Sequence, residues 1–238
     1  MNILAFDGCF GAVSAAIRRQ SPIGQWVQHE AFETSSGANA ERLFHVISVV
    51  LDEAGLSLPE VDRIAVTLGP GTFTGVRVGM AAARGLALAT GKPVVGTSSL
   101  SVIAAHALRL SPDLHAEPLV VAVDARRGAL YVQSFGPRRT QLSEPMILTP
   151  EEAGRRICDL VVASDRIYVV GSGAAAVADA LQAHGREARI QHTDIQPHAG
   201  ALARLATDLP PLANPAPIYL RQPDARAPAK QPQYLAQP

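Results

Sequence analysis

Ile3-Leu4-Ala5-Phe6-Asp7, followed by Gly11-Ala12, and Val120-Val121-Ala122-Val123-Asp124, followed by Gly128-Ala129, stand at a constant offset in the chain. Each is an apolar run that ends on an aspartate and turns into a second strand. A second pair of segments follows in the same order. Ile64-Ala65-Val66-Thr67-Leu68 enters the loop Gly69-Pro70-Gly71, and Ile167-Tyr168-Val169-Val170 enters Gly171-Ser172-Gly173. In both, a buried strand meets a Gly-rich turn and then a helix. One plan written twice predicts an α/β protein of two related lobes.

Around these anchors, Ala12–Ile17 and Trp26–Phe32 extend the first sheet as a meander. A helix is predicted from Asn39 to Ala54, ended by Gly55. Another runs from the Gly-rich loop to Thr90, capped by Gly91 and stopped by Pro93. Val94-Val95 resumes a strand, Leu100–Leu108 is helical, and Ala174–His184 is the helix of the second repeat. From Leu209 prolines accumulate: Pro210, Pro211, Pro215, Pro217, Pro223, Pro228, Pro232 and Pro238. This predicts an extended tail in which Ile218-Tyr219-Leu220 docks on the body and the last ten residues are mobile. The expected units are an N-terminal lobe over 1–108, a C-terminal lobe over 109–206 and a Pro-rich tail over 207–238. A duplicated strand, Asp turn and strand with a later Gly loop and helix is similar to the actin-like (ASKHA, ribonuclease H-like) superfamily. There the two Asp turns point at a shared cleft.

The 238 residues are 47% hydrophobic and only 5% aromatic, so the cores are expected to be aliphatic. Lys plus Arg and Asp plus Glu both number 21. A chain that holds RNA by itself draws its affinity from a basic excess, so RNA is expected to be met only through a partner. Cys9 and Cys158 are too few and too far apart for a disulfide framework or a zinc site. The chain opens directly into a strand, and no 18-residue apolar stretch occurs. The expectation is a cytoplasmic protein with no membrane span.

The loop Gly69, Gly71, Thr72, Phe73, Thr74, Gly75 has two readings. Backbone amides at a helix start can cradle phosphate. Yet the Walker pattern needs Gly-Lys-Ser/Thr where this chain has Gly75-Val76-Arg77, and the glycines are spaced one residue too widely for the dinucleotide pattern. The other reading is a tight turn that lets a small-residue helix approach its neighbours. Asp7 and Asp124 are also open: they could hold magnesium in a nucleotide cleft, or each could form its own turn through backbone bonds. Gly171-Ser172-Gly173 is not a nucleophile elbow.

Gly69 to Gly79 (Gly-Pro-Gly-Thr-Phe-Thr-Gly-Val-Arg-Val-Gly) resembles the signature of the TsaB (YeaZ) family. Leu86-Ala87-Leu88, Gly96-Thr97-Ser98-Ser99-Leu100, Ala122-Val123-Asp124-Ala125-Arg126 and Pro217-Ile218-Tyr219-Leu220-Arg221 resemble further blocks of it. The resemblance implies a partner subunit of the bacterial machinery that makes threonylcarbamoyladenosine in tRNA. In that machinery TsaD transfers the threonylcarbamoyl group to N6 of adenosine 37, and the ATPase TsaE joins the pair. It implies no catalysis and no cofactor or metal in the isolated chain, with nucleotide only at an interface of the complex. TsaD-like proteins carry two His at i and i+4 on a helix. The corresponding helix here reads Asn39-Ala40-Glu41-Arg42-Leu43, and no two of the seven His fall at i,i+3 or i,i+4. At Asp7-Gly8-Cys9 the chain departs from the family's Asp-Thr, so the resemblance carries no nucleotide contact over to this turn.

The Asn39–Ala54 helix carries its polar residues on one line, Glu41, His45, Ser48 and Asp52, and is apolar over about twice the ~100° that a sheet-covering helix needs. The Gly75–Thr90 helix has a similar surplus, with Arg77 and Arg84 on its third side. Two such helices suit a four-helix bundle with another subunit. The residues expected at that interface are Leu43, Phe44, Val46, Ile47, Val50, Val76, Arg77, Met80, Ala83 and Arg84. The family resemblance implies TsaD as the occupant and a homodimer when the chain is alone. The rival from the residues is a stand-alone actin-like ATPase or small-molecule kinase working through Asp7, Asp124 and the Gly loop.

Overall fold

The two copies of the repeat fold as two sheets of one topology. The structure, a computed structural model, describes residues 1–34, 40–162, 164 and 166–221. In the first lobe β1 (Asn2–Asp7) pairs antiparallel with β2 (Ala12–Gln20), which pairs antiparallel with β3 (Trp26–Thr34). On its other side β1 pairs parallel with β4 (Arg63–Thr67), and β4 with β5 (Val94–Thr97). The order is β3-β2-β1-β4-β5. In the second lobe β6 (Leu119–Asp124) and β7 (Leu130–Phe135) repeat the hairpin. With β8 (Met146–Leu148), β9 (Arg166–Val170) and β10 (Glu187–Gln191) they give β8-β7-β6-β9-β10, with the same parallel and antiparallel pairs. The repeat seen in the letters is therefore a repeat of architecture.

The period of two along each strand sends alternate residues to opposite faces, and both faces are buried. Leu4 and Phe6 of β1 pack under α1 (Ala40–Ala54) and α2 (Phe73–Thr90), while Ile3 and Ala5 pack against α6 (Ala199–Leu205). In the second sheet Val121 and Val123 face α3 (Ser99–Leu110), and Val120 and Ala122 face α4 (Pro150–Leu160) and α5 (Ala174–Ala183). α3 serves both lobes, with Val102 in the first-sheet cluster and Ile103 and Ala107 in the second. The layers run helix, sheet, helix, sheet, helix.

One element crosses the expected lobe boundary. α6 falls inside 109–206 yet packs on β1 and β2, because its Ala and Leu side chains complete the inner face of the first sheet. The first long helix is described from Ala40, and Asn39 lies outside the described residues. The tail does dock: Leu212 N–H donates to Val94 O at 2.8 Å, and Ile218 N–H to Leu68 O at 2.6 Å. Pro223, Pro228, Pro232, Pro238 and the last ten residues lie outside the described residues.

α2 starts at Phe73, inside the run 69–75 expected to be loop. Thr72 is its N-cap and accepts from Gly75 N–H at 3.1 Å. Gly91 ends it in the left-handed region, φ 69°, and donates to Ala87 O at 2.8 Å.

Candidate functional site

Asp7 ends β1 at the heart of the first lobe and is fully buried. Both of its carboxylate oxygens accept from Cys9 N–H at 3.3 Å, and the Thr67 hydroxyl at the end of β4 donates to Oδ1. The Cys9 thiol lies 3.2 Å from Thr67 Oγ1. Burial pushes the Asp7 carboxyl from its ordinary 3.8 up to about 6, against the bonds from Thr67, Cys9 and Gly8 that favour the anion. Burial, and then the Asp7 charge, pushes the Cys9 thiol up as well. The carboxyl is spent on its own turn and on a neighbouring strand.

Asp124 occupies the matching place in the second lobe. Its Oδ1 accepts from Arg126 N–H at 2.8 Å, the same i to i+2 turn, and its own N–H donates to Ser172 Oγ at 3.0 Å. Unlike Asp7, it is exposed. Both aspartates thus form the turns of the duplicated hairpin.

The Gly-rich loop is pressed against the first of those turns. A Cβ on Gly71 would lie 2.5 Å from Cys9 O, and one on Gly75 would lie 2.0 Å from Gly8 O. Thr72 N–H donates to Cys9 O at 2.7 Å. These glycines let a helix start approach a backbone turn. The amides of Thr72, Gly75 and Val76 already have acceptors within the chain. These contacts make the loop a tight turn against the first hairpin. In the second lobe the counterpart packs on strand β6 instead: Gly173 N–H donates to Ala122 O at 3.0 Å, and a Cβ on Gly171 would lie 2.3 Å from that oxygen.

The residues expected at an interface divide in two. Leu43, Val46, Ile47, Val50, Val76, Met80 and Ala83 are buried in the first lobe's own core and have no surface for a partner. The reason is that α1 packs on β2 and β3 and also touches α2, so its wide apolar face has two neighbours within the chain. Phe44, Arg77 and Arg84 stay outside. On α2 the outward line is Thr74, Arg77, Ala81, Arg84 and Leu88, with Leu88 89% exposed. It is flat, small and basic, and α2 carries no carboxylate. Ala81 and Leu88 were absent from the expected set; the 3.6-residue spacing from Arg77 and Arg84 is the signal that finds them.

A second polar group escaped sequence reasoning altogether. Glu30 of β3 lies 3.3 Å from His198 Nδ1 and 3.7 Å from both Arg109 and Arg204. The His106 and His198 rings lie 4.7 Å apart. Strand, α3 and α6 bring together residues up to 174 positions apart in number, which no local pattern reports. Among the described residues, no three His, Cys, Asp or Glu side chains are placed to hold a metal ion together. Burial holds the His106 imidazole down, from 6.5 to about 4.

His106 and Asp7 oppose one another in acid. The unfolded chain takes the His106 proton at about 6.5 and the folded chain only near 4, so this group removes stability as pH falls through that window. The folded chain keeps the Asp7 proton up to about 6 while the unfolded chain loses it near 3.8, so this group removes stability as pH rises. We expect Asp7→Asn to steepen the loss of stability between pH 6.5 and 4.5, and His106→Gln to make it shallower. Urea unfolding across that range checks both slopes.

The family model of TsaD, the tRNA N6-adenosine threonylcarbamoyltransferase, matches residues 33–155. The TsaB protein of Haemophilus influenzae, described as a tRNA threonylcarbamoyladenosine biosynthesis protein, is 33% identical over 188 residues, 74% of each chain. The Escherichia coli TsaB is 34% identical over 131 residues, which span 55% of this chain and about half, 53%, of that protein. The solved structure of a YeaZ-like protein from Pseudomonas aeruginosa covers 92% of this chain and 99% of its own, with a TM-score of 0.74 and 28% identity. A ROK hexokinase from Thermus thermophilus covers 88% of this chain and 98% of its own, with a TM-score of 0.50 at 14% identity, a likeness of fold alone. The fold is the two-lobed actin-like one.

Proposed function

The chain belongs to the TsaB family, and from that membership we propose that it is a non-catalytic scaffold and activator in the synthesis of threonylcarbamoyladenosine in tRNA. In this reading TsaD carries the transfer chemistry and the tRNA, and docks on the outward line of α2 with Phe44 of α1 beside it. TsaE joins the pair, and a second copy of the chain takes the same face when TsaD is absent. The protein works in the cytoplasm and needs no cofactor of its own.

One observation carries the non-catalytic part. Gly71 and Gly75, the residues that would open a phosphate cradle, are closed onto the carbonyls of Cys9 and Gly8. The buried Asp7 supports it, since its carboxyl is held by Thr67 and Cys9. A stand-alone ATPase or kinase needs both features open to substrate. The flat α2 face supports the assembly part, because small residues let two helices approach closely and an exposed leucine supplies an apolar centre.

Calorimetric titration of magnesium ATP into the isolated chain should show no saturable binding at millimolar nucleotide. Affinity purification from its own cells should retain TsaD. Stoichiometric ATP binding that is lost in Asp124→Ala would instead favour the kinase reading.

A further inference from the structure

The described part of the tail is a strap that touches both the α2 face and the second lobe. Its residues 212–219 lie on the first lobe. Arg84 donates to Pro215 O at 2.6 Å, and Arg77 Nε donates to the Tyr219 hydroxyl at 3.1 Å. The Tyr219 ring lies 5.6 Å from that of Phe73, which the Arg77 guanidinium covers at 3.5 Å. The next two residues cross to the other lobe. Leu220 packs on the second-sheet core, and Arg221 donates to Ala125 O at 3.0 Å and to Arg126 O at 3.2 Å.

That far end grips an unusual turn. Arg126, Arg127 and Gly128 have φ of 63°, 56° and 72°, three consecutive residues in the left-handed region, two of them with side chains that disfavour it. Such a backbone persists where its surroundings over-determine it. Here those surroundings include the Asp124 carboxylate on Arg126 N–H and the two bonds from Arg221.

We infer that the strap couples the α2 face to the Asp124 turn, and that the partner surface on α2 presents carboxylates. This inference rests on the reading of α2 as the assembly face. Arg77 and Arg84 are held by neutral acceptors, a phenol oxygen and a carbonyl. A carboxylate adds the attraction of a full opposite charge and takes a guanidinium through two parallel bonds, which a phenol or carbonyl oxygen does not, so an acidic partner takes both guanidiniums from the strap. Tyr219 is then released, and Arg221 stands only two residues further along the chain, so its grip on the turn loosens with it. Assembly on α2 thereby reaches the interlobe side of the molecule.

Amide hydrogen exchange over 120–135 in the full chain tests the coupling. Arg221→Ala cuts the far end and should accelerate exchange of the 125–129 turn. Tyr219→Ala cuts the near end and should accelerate the same turn at least tenfold. A turn unchanged in Tyr219→Ala, or in both variants, overturns the coupling. Saturating TsaD should also accelerate the turn, and Arg84→Gln should weaken TsaD binding at least tenfold. Bound TsaD that leaves the turn unchanged or slower, or binds Arg84→Gln as tightly, overturns the inference. If TsaD does not bind at all, the proposed function fails, while the two strap variants still decide the coupling. Exchange that rises with concentration of the chain alone overturns TsaD in favour of a second copy.

Discussion

Gly75→Ala should cost the first lobe about 3 kcal/mol or more, at the upper end of overpacking, because the new methyl would sit 2.0 Å from Gly8 O. Neither side can yield cheaply. Gly75 is in the first turn of α2, and Gly8 is in the turn that holds Asp7 and Cys9. For a domain of this size the loss corresponds to a fall in Tm of roughly 6–12 °C. Gly85→Ala is the control on the same helix. A Cβ there meets nothing within 4 Å, so the better helix former should be neutral or gain up to about 1 kcal/mol. Thermal melts of the two variants should therefore move in opposite directions or differ by most of that range. A Gly75→Ala protein as stable as the parent would mean that the loop does not lie against the first hairpin.

Glutamate substitutions along the two long helices should separate into two sharp classes. Val46→Glu, Val50→Glu, Met80→Glu and Ala83→Glu place an unpaired carboxylate in the first-lobe core, at a cost of about 3–5 kcal/mol, and should not fold. Leu88→Glu and Ala81→Glu change exposed positions and should leave stability within about 0.5 kcal/mol. Yet a buried leucine at the centre of an interface contributes about 2 kcal/mol or more, so Leu88→Glu should weaken pairing about thirtyfold. Circular dichroism reports the first class and light scattering after size exclusion the second. Leu88→Glu and Ala81→Glu proteins that pair like the parent would place the assembly surface elsewhere.

The contrast between these classes marks the limit of what the letters disclose. The width of an apolar stripe says how much of a helix is covered, not whether the cover is in the same chain. For α1 the second neighbour is α2, which is why Val46 and Val50 turned out to be core. The repeat was legible because both copies kept the apolar run, the aspartate and the glycine turn at matching places. Asp7 and Asp124 stand at matching places and accept the same i to i+2 bond, but only Asp7 is buried. Thr67, its hydroxyl partner, lies 60 residues away, so the difference has no local sign. Other elements were unmarked for plainer reasons. β10 is Glu-Ala-Arg-Ile-Gln, an edge strand with little to bury, and α6 is seven residues that give no hint of which sheet they cover. α4 does carry a local sign: Thr149-Pro150-Glu151-Glu152 is a capping box, with Glu152 Oε2 accepting from Thr149 N–H at 2.8 Å.

In the proposed function this chain supplies a surface and not a reacting group. Threonylcarbamoyl transfer by TsaD and TsaE, reconstituted with variants of this chain, compares the two directly. Leu88→Glu, which alters only the outward line of α2, should raise the concentration of this chain needed for half-activation about thirtyfold, while Asp124→Asn, which alters the exposed hairpin aspartate, should leave both that concentration and the rate at the parent values. Half-activation by Leu88→Glu at the parent concentration, together with loss of activation in Asp124→Asn, would contradict the account.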